Sequence, residues 1–187
     1  MNRDGTENIH QSLIGVFDGL FRASHETVLR GGYEEPLYLP AAAGKPAEIR
    51  FSHDYPSSAL HEIAHWCIAG TARRQLVDYG YWYSPDGRNA VEQAAFYGVE
   101  VKPQALEWVF SLAVGIKFRV SADNLCGDDA GLASFTEKVR RQRSIYLERG
   151  LPLRAERFLA ALRTRFRKIG PASHTNDIRR ATGPTRE

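Results

Sequence analysis

The chain has 187 residues, enough for one domain with a real core, and its 43% apolar and 25% charged residues are the balance of a folded, water-soluble protein. No apolar run approaches the roughly 20 residues that span a bilayer, and no apolar stretch follows Met1 to Gly5, so neither a membrane span nor a secretory signal is expected. The net charge of +3 is unevenly spread: from Glu137 onward 14 Lys/Arg face 5 Asp/Glu, whereas the rest has 11 against 17. The basic residues carry no interleaved aromatics and no nucleic-acid-binding motif, so direct nucleic-acid binding is not expected. Two cysteines, Cys67 and Cys126, make no disulfide framework and suit a reducing cytoplasm.

Leu13, Ile14, Phe17, Leu20 and Phe21 recur at helical spacing and predict an amphipathic helix over Ile9 to Phe21. A short strand over Thr27 to Arg30 is possible before Gly31-Gly32 breaks the chain. Pro36 to Pro40 and Glu48 to Ser52 read as strands. A helix follows from about Ser58 to Ala69, with Pro56 near its start and Ser57 or Ser58 as cap. The aromatic run Tyr79 to Tyr83 has strand composition and meets a turn at Ser84-Pro85-Asp86-Gly87. Helical character returns from Asn89 to Val114, kinked or restarted at Pro103. Two amphipathic helices, Leu132 to Arg149 and Leu153 to Lys168, come after a polar loop at Asp123 to Asp129. The expected organisation is one α+β domain over residues 1–169 and a disordered basic tail over 170–187.

The chemistry lies in His61-Glu62-Ile63-Ala64-His65. Residues four apart share a helix face, so both imidazoles can meet one divalent ion, with Glu62 beside it. Leu60, Ile63, Ala64 and Ile68 mark the helix as buried, where two unpartnered histidines are costly. The alternative is a satisfied structural histidine pair. A third ligand is needed, and Glu100, Glu92, Asp78 and His53 are the candidates. Spacing alone does not choose between Glu100 and Glu92, which lie on the next helical segment. His53 and Asp54 end a strand and are candidates to line the site. Zinc at such a site gives peptide hydrolysis with Glu62 as general base. Iron(II) leaves positions for dioxygen and gives oxidation. A third reading is a metal-stabilised binding module without catalysis.

Longer blocks carry more information. Ala59 to Gly70 runs into Ala72-Arg73-Arg74, then Val77-Asp78-Tyr79-Gly80-Tyr81-Trp82-Tyr83 and Pro85-Asp86-Gly87-Arg88. Val99 to Leu106, Asp123-Asn124-Leu125 and Pro36 to Pro40 complete the set. Together these resemble the bacterial elongation factor P hydroxylases, over roughly residues 10 to 165. The resemblance implies a non-haem iron protein of zincin-like architecture, with helices packed on a small sheet. It implies dioxygen as cosubstrate, a monooxygenase-like reaction, and elongation factor P as partner, modified at a lysine that already carries a β-lysyl group. It implies Glu100, inside a matching block, as third ligand with His61 and His65, and leaves Glu62 a catalytic proton-transfer role. Zinc is possible in the isolated protein. The His-x-Asp pattern of 2-oxoglutarate oxygenases is missing around these residues, so that cosubstrate is not expected. For a cationic substrate, Asp78 and Asp86 are candidate ammonium partners, and Tyr79, Tyr81 and Trp82 candidate stacking residues. Asp54 and Tyr83 are further candidates. The basic helices, with Arg140, Arg141 and Arg143, would then dock an acidic partner.

Overall fold

A computed structural model describes residues 8–80, 89–121 and 129–167. Helix α1 (Ile9–His25) buries Leu13, Phe17 and Phe21 and ends at Glu26, whose left-handed φ of 48° turns the chain into the sheet. Strands β1 (Thr27–Tyr33), β2 (Leu37–Leu39) and β3 (Ala47–Ser52) form one sheet in the order β1-β3-β2. β1 is parallel to β3 and β2 is antiparallel to it. Asp18 of α1 accepts from the Leu29 N–H and from the Arg30 guanidinium, fixing helix against sheet with two charge-assisted bonds.

Gly31-Gly32 does not break the chain as the composition suggests; β1 runs through both to Tyr33. The register shifts there, and Gly32 takes a φ of +83° that suits a bulge. Gly31 is needed for another reason. A Cβ there would overlap the Phe51 ring and the Asp54 carboxylate, so only glycine lets β1 pass the end of β3.

Helix α2 (Pro56–Ile68) starts with Pro56, whose missing N–H costs nothing in the first turn. Its N-cap is Tyr55, with no side-chain cap, so the serine-cap expectation fails. Ser58 instead accepts from the Ser52 N–H at 3.0 Å, tying β3 to the helix it feeds. Leu60, Ile63, Ala64 and Trp66 are fully buried, each large apolar side chain contributing about 1.5–3 kcal/mol by leaving water. Two 3-10 turns follow, Arg73–Gln75 and Val77–Gly80. Tyr79 thus sits in a turn, not the expected strand, because Asp78 and Tyr79 both adopt left-handed φ, 46° and 58°.

Helix α3 (Ala90–Val114) opens with a capping box between Asn89 and Glu92 and continues through Pro103 without a second start. It packs along α2, and α4 (Asp129–Arg149) and α5 (Leu153–Phe166) pack on α3 in turn. The aromatic core forms behind α2, where Trp66 meets Phe17 and Phe21 at ring distances of 5.1 and 4.8 Å. The α+β class expected from the sequence is the class observed: five α-helices and one three-stranded sheet among the described residues. No helix among those residues is long and apolar enough to cross a membrane. The tail expected over 170–187 lies outside the described residues.

Arg154 of α5 closes the C-terminal end of α2. Its guanidinium donates to the carbonyls of Trp66, Cys67 and Ala69 and lies 4.8 Å over the Trp66 ring. The Trp66 and Cys67 carbonyls are ones that a helix end leaves without partners, the Ala69 carbonyl just beyond also accepts from Arg74 at 2.8 Å, and a cation suits the negative end of the helix dipole. Replacing Arg154 with Met is expected to cost about 2–4 kcal/mol, because buried carbonyls lose a charged donor. Urea denaturation measures this; a cost below about 0.5 kcal/mol would show that water takes over the role.

Candidate metal centre

His61 and His65 stand one turn apart on α2, and Glu100 faces them from α3. His65 Nε2 lies 3.1 Å from His61 Nε2 and 3.2 Å from Glu100 Oε1, and His61 Nε2 lies 3.5 Å from Glu100 Oε2. One ligand atom from each of the three falls within 4.8 Å of the others, so the group could hold a metal ion. Ligand bonds of about 2.0–2.2 Å at angles near 90–110° demand edges of about 2.9–3.5 Å. His65 Nε2 lies within that range of His61 Nε2 and of one Glu100 oxygen, while His61 Nε2 faces the other Glu100 oxygen at 3.5 Å. The donor set of two imidazoles and a carboxylate suits a divalent ion.

The electrostatics point the same way. Glu62, Asp78, Glu100 and Glu107 line one cavity of about 620 Å³ together with both histidines. Burial alone would lower His61, but the Glu100 and Glu107 carboxylates outweigh it and push the imidazole up to about 10. Burial alone would raise Glu100, but His65 and His61 pull it down to about 2. In the metal-free chain a proton on His61 thus supplies the positive charge that the carboxylates require. A divalent cation would replace that proton with a larger charge.

Glu107 and Gln104, which the sequence reading missed, complete the setting. Glu107 Oε2 accepts from His61 Nδ1 at 2.9 Å, which leaves Nε2 turned toward His65 and Glu100. Gln104 Nε2 donates to Glu100 Oε2 at 3.3 Å. Glu100, Gln104 and Glu107 follow one another at i, i+4 and i+7, so the signal was present on one face of α3.

The other expected residues divide. Glu62 lines the cavity with no hydrogen bond or ion pair among the described residues, and burial raises its carboxyl above the usual range. Tyr79 lines it too, buried and stacked between Tyr38 at 4.3 Å and His65 at 6.2 Å. Asp78 reaches the cavity while one oxygen accepts from the Tyr38 N–H at 2.7 Å. Glu92 is exposed and spends its carboxylate on the helix cap, so it does not join the cluster. His53 and Asp54 are exposed in the turn before α2, and neither belongs to the cluster. Asp54 lies 3.8 Å from His10, and His53 stacks on Tyr55. Cys67 is buried, and burial pushes its thiol up to about 12, which makes it an inert core residue. Tyr81, Trp82, Tyr83, Asp86 and Cys126 lie outside the described residues.

Comparison with known proteins decides the family. The family model described as elongation factor P hydroxylase matches residues 16–176. The chain belongs to the elongation factor P hydroxylase family. A relative named elongation factor P lysine hydroxylase, from Haemophilus influenzae, is 48% identical over 153 residues. That alignment covers 81% of this chain and 86% of the relative. As a member of this hydroxylase family, the chain holds its metal-competent triad inside the matched span.

The charge balance has a measurable consequence. The proton on His61 stabilises the metal-free fold fully below the ordinary value of 6.5, and this fades as pH rises toward about 10. The ionised Glu100 counts the same interaction from the other side: it stabilises above 4.5 and the effect is lost as pH falls toward about 2. Near neutral pH, loading a divalent ion is therefore expected to release about one proton, read by titration calorimetry in buffers of different ionisation enthalpy. Binding without proton release would mean that His61 is already neutral.

Proposed function

We propose that this chain is an iron(II)- and dioxygen-dependent protein-lysine hydroxylase, monooxygenase-like and cytoplasmic. Its substrate is the β-lysyl-modified lysine of elongation factor P. The observation that carries the reading is the convergence of His61, His65 and Glu100 on one wall of an open cavity, in a chain of this hydroxylase family. The name of the Haemophilus relative supports a lysine as the target.

His61, His65 and Glu100 would hold the ion, and three protein ligands leave positions for other molecules. Bound iron(II) would supply the activation of dioxygen, of which one atom enters the C–H bond and the other leaves as water, with two electrons from an external reductant and two protons. The protein's own groups do the rest. Glu107 orients His61 through Nδ1, and the Tyr38–Tyr79 stack limits rotation of the His65 ring. Glu62, whose carboxyl burial raises above its usual range, holds and passes a proton at its carboxyl oxygens.

The acidic cavity suits a cationic side chain. Asp78 and Glu62 pair with ammonium groups, and Tyr79, which lines the same cavity, borders the aliphatic stem with its ring edge. Tyr81, Trp82 and Asp86, next in the chain, are proposed for the same task. Arg140 and Arg141 are exposed on α4 and would dock an acidic surface of the factor. Arg143 is a poorer candidate, because it lies 4.7 Å over the Trp108 ring and is partly buried there. With zinc the same donors would favour hydrolysis by Glu62; membership of a hydroxylase family speaks for oxidation instead.

Two substitutions separate the roles. Glu62→Gln is expected to keep its metal and lose hydroxylation by about 100-fold or more. Glu100→Ala is expected to lose both. Elemental analysis reads the metal, and mass spectrometry of the factor P peptide reads the added oxygen atom. A Glu62→Gln enzyme at the wild-type rate sinks the proton role, and iron retained by Glu100→Ala removes that residue from the ligand set.

A further inference from the structure

The chain leaves α3 through Gly115, in left-handed φ of 81°, and the following segment, residues 116–121, places Lys117, Arg119 and Ser121 on the cavity wall. One buried side chain joins this wall to the metal-competent triad. Gln104 is only 1% exposed, and a carboxamide that deep is costly unless its polar atoms are satisfied. Its Oε1 accepts from the Ser121 N–H at 3.1 Å, and its Nε2 donates to the Ser121 carbonyl at 2.7 Å. A single amide thus reads both backbone groups of one residue, which fixes its orientation: Oε1 must face the N–H, and Nε2 the carbonyl. The second Nε2 hydrogen is then left for Glu100 Oε2 at 3.3 Å. The other Glu100 oxygen faces His65.

We propose that Gln104 is a positioning residue that couples the Glu100 ligand to the 116–121 wall, so that metal loading and ordering of the wall are one linked event. The inference rests on the metal-site reading above. If the wall moves, the amide must rotate or leave, and Glu100 loses the donor that sets its second oxygen. By reciprocity, an ion that fixes Glu100 fixes the amide and the Ser121 backbone in turn. Because Lys117 and Arg119 ride on this segment, the cationic part of the cavity wall is set at the same moment.

The test uses the full chain, stripped of metal, with Co(II) as probe. Its visible absorption gives the affinity, and amide hydrogen exchange over 116–120 reports the wall. The wild type is expected to bind Co(II) and to slow exchange in that segment on binding. Gln104→Met keeps the volume and removes the amide; it is expected to weaken Co(II) about 10–100-fold and to abolish the metal-dependent slowing. Gln104→Glu, which sets a carboxylate against the Ser121 carbonyl and Glu100, is expected to do the same. If Gln104→Met does not fold, Ser121→Pro removes the N–H that the amide accepts from and leaves Gln104 in place, with the same two losses expected. Wild-type affinity and wild-type slowing in a folded variant overturn the coupling. A wild type that binds no Co(II) overturns the metal-site reading itself, and with it the inference.

Discussion

The approach of Glu100 on α3 to His65 on α2, 3.2 Å between their polar atoms, is the contact on which the rest of the architecture depends. Glu100 is 2% exposed and His65 9%, and burying such groups is costly unless each finds a partner. The fold therefore braces α2 from several sides. Trp66 packs on α1, Arg154 of α5 takes the terminal carbonyls, Ser58 ties the first turn to β3, and α3 lies along the histidine face. Each brace holds two imidazoles where a cation can satisfy the surrounding carboxylates.

Backbone strain gathers at the same place. His53 and Asp54 take left-handed φ of 49° and 56° just before α2, between the lining residues Ser52 and Tyr55. Asp78 and Tyr79 do so on the cavity wall itself. Non-glycine residues in this region cost about 1–3 kcal/mol each and persist only where surrounding contacts impose them. Here the Tyr38 N–H on Asp78 and the Tyr38 ring on Tyr79 are those contacts. The strain delivers an aromatic face parallel to His65, within 10° of its plane.

Much of this was legible in the sequence wherever a single periodicity ruled. The helices showed themselves through apolar spacing, and His61 and His65 through the four-residue repeat. The reading failed where tertiary contacts override local signals. Gly31-Gly32 looks like a break, yet it lets β1 pass Phe51 and Asp54. Ser57 and Ser58 look like caps, yet Ser58 is spent on β3. Tyr79 has strand chemistry, yet its backbone is left-handed. Spacing could not choose between Glu92 and Glu100, because both lie on α3; only the family resemblance did, and the packing of α3 on α2 puts Glu100 against the histidines. Glu107 and Gln104 share the helix face of Glu100, but each acts through another residue, so their spacing carries meaning only once His61 and Glu100 are singled out.

The most direct measurement is reconstitution of the metal-free protein with iron(II) or zinc(II), under air and with ascorbate as the donor of the two electrons that insertion of one oxygen atom requires, on elongation factor P that carries the β-lysyl group. Iron is expected to add one oxygen atom to the modified lysine, and zinc none. Oxygen added without any metal, or a cleaved substrate with zinc, would contradict the account.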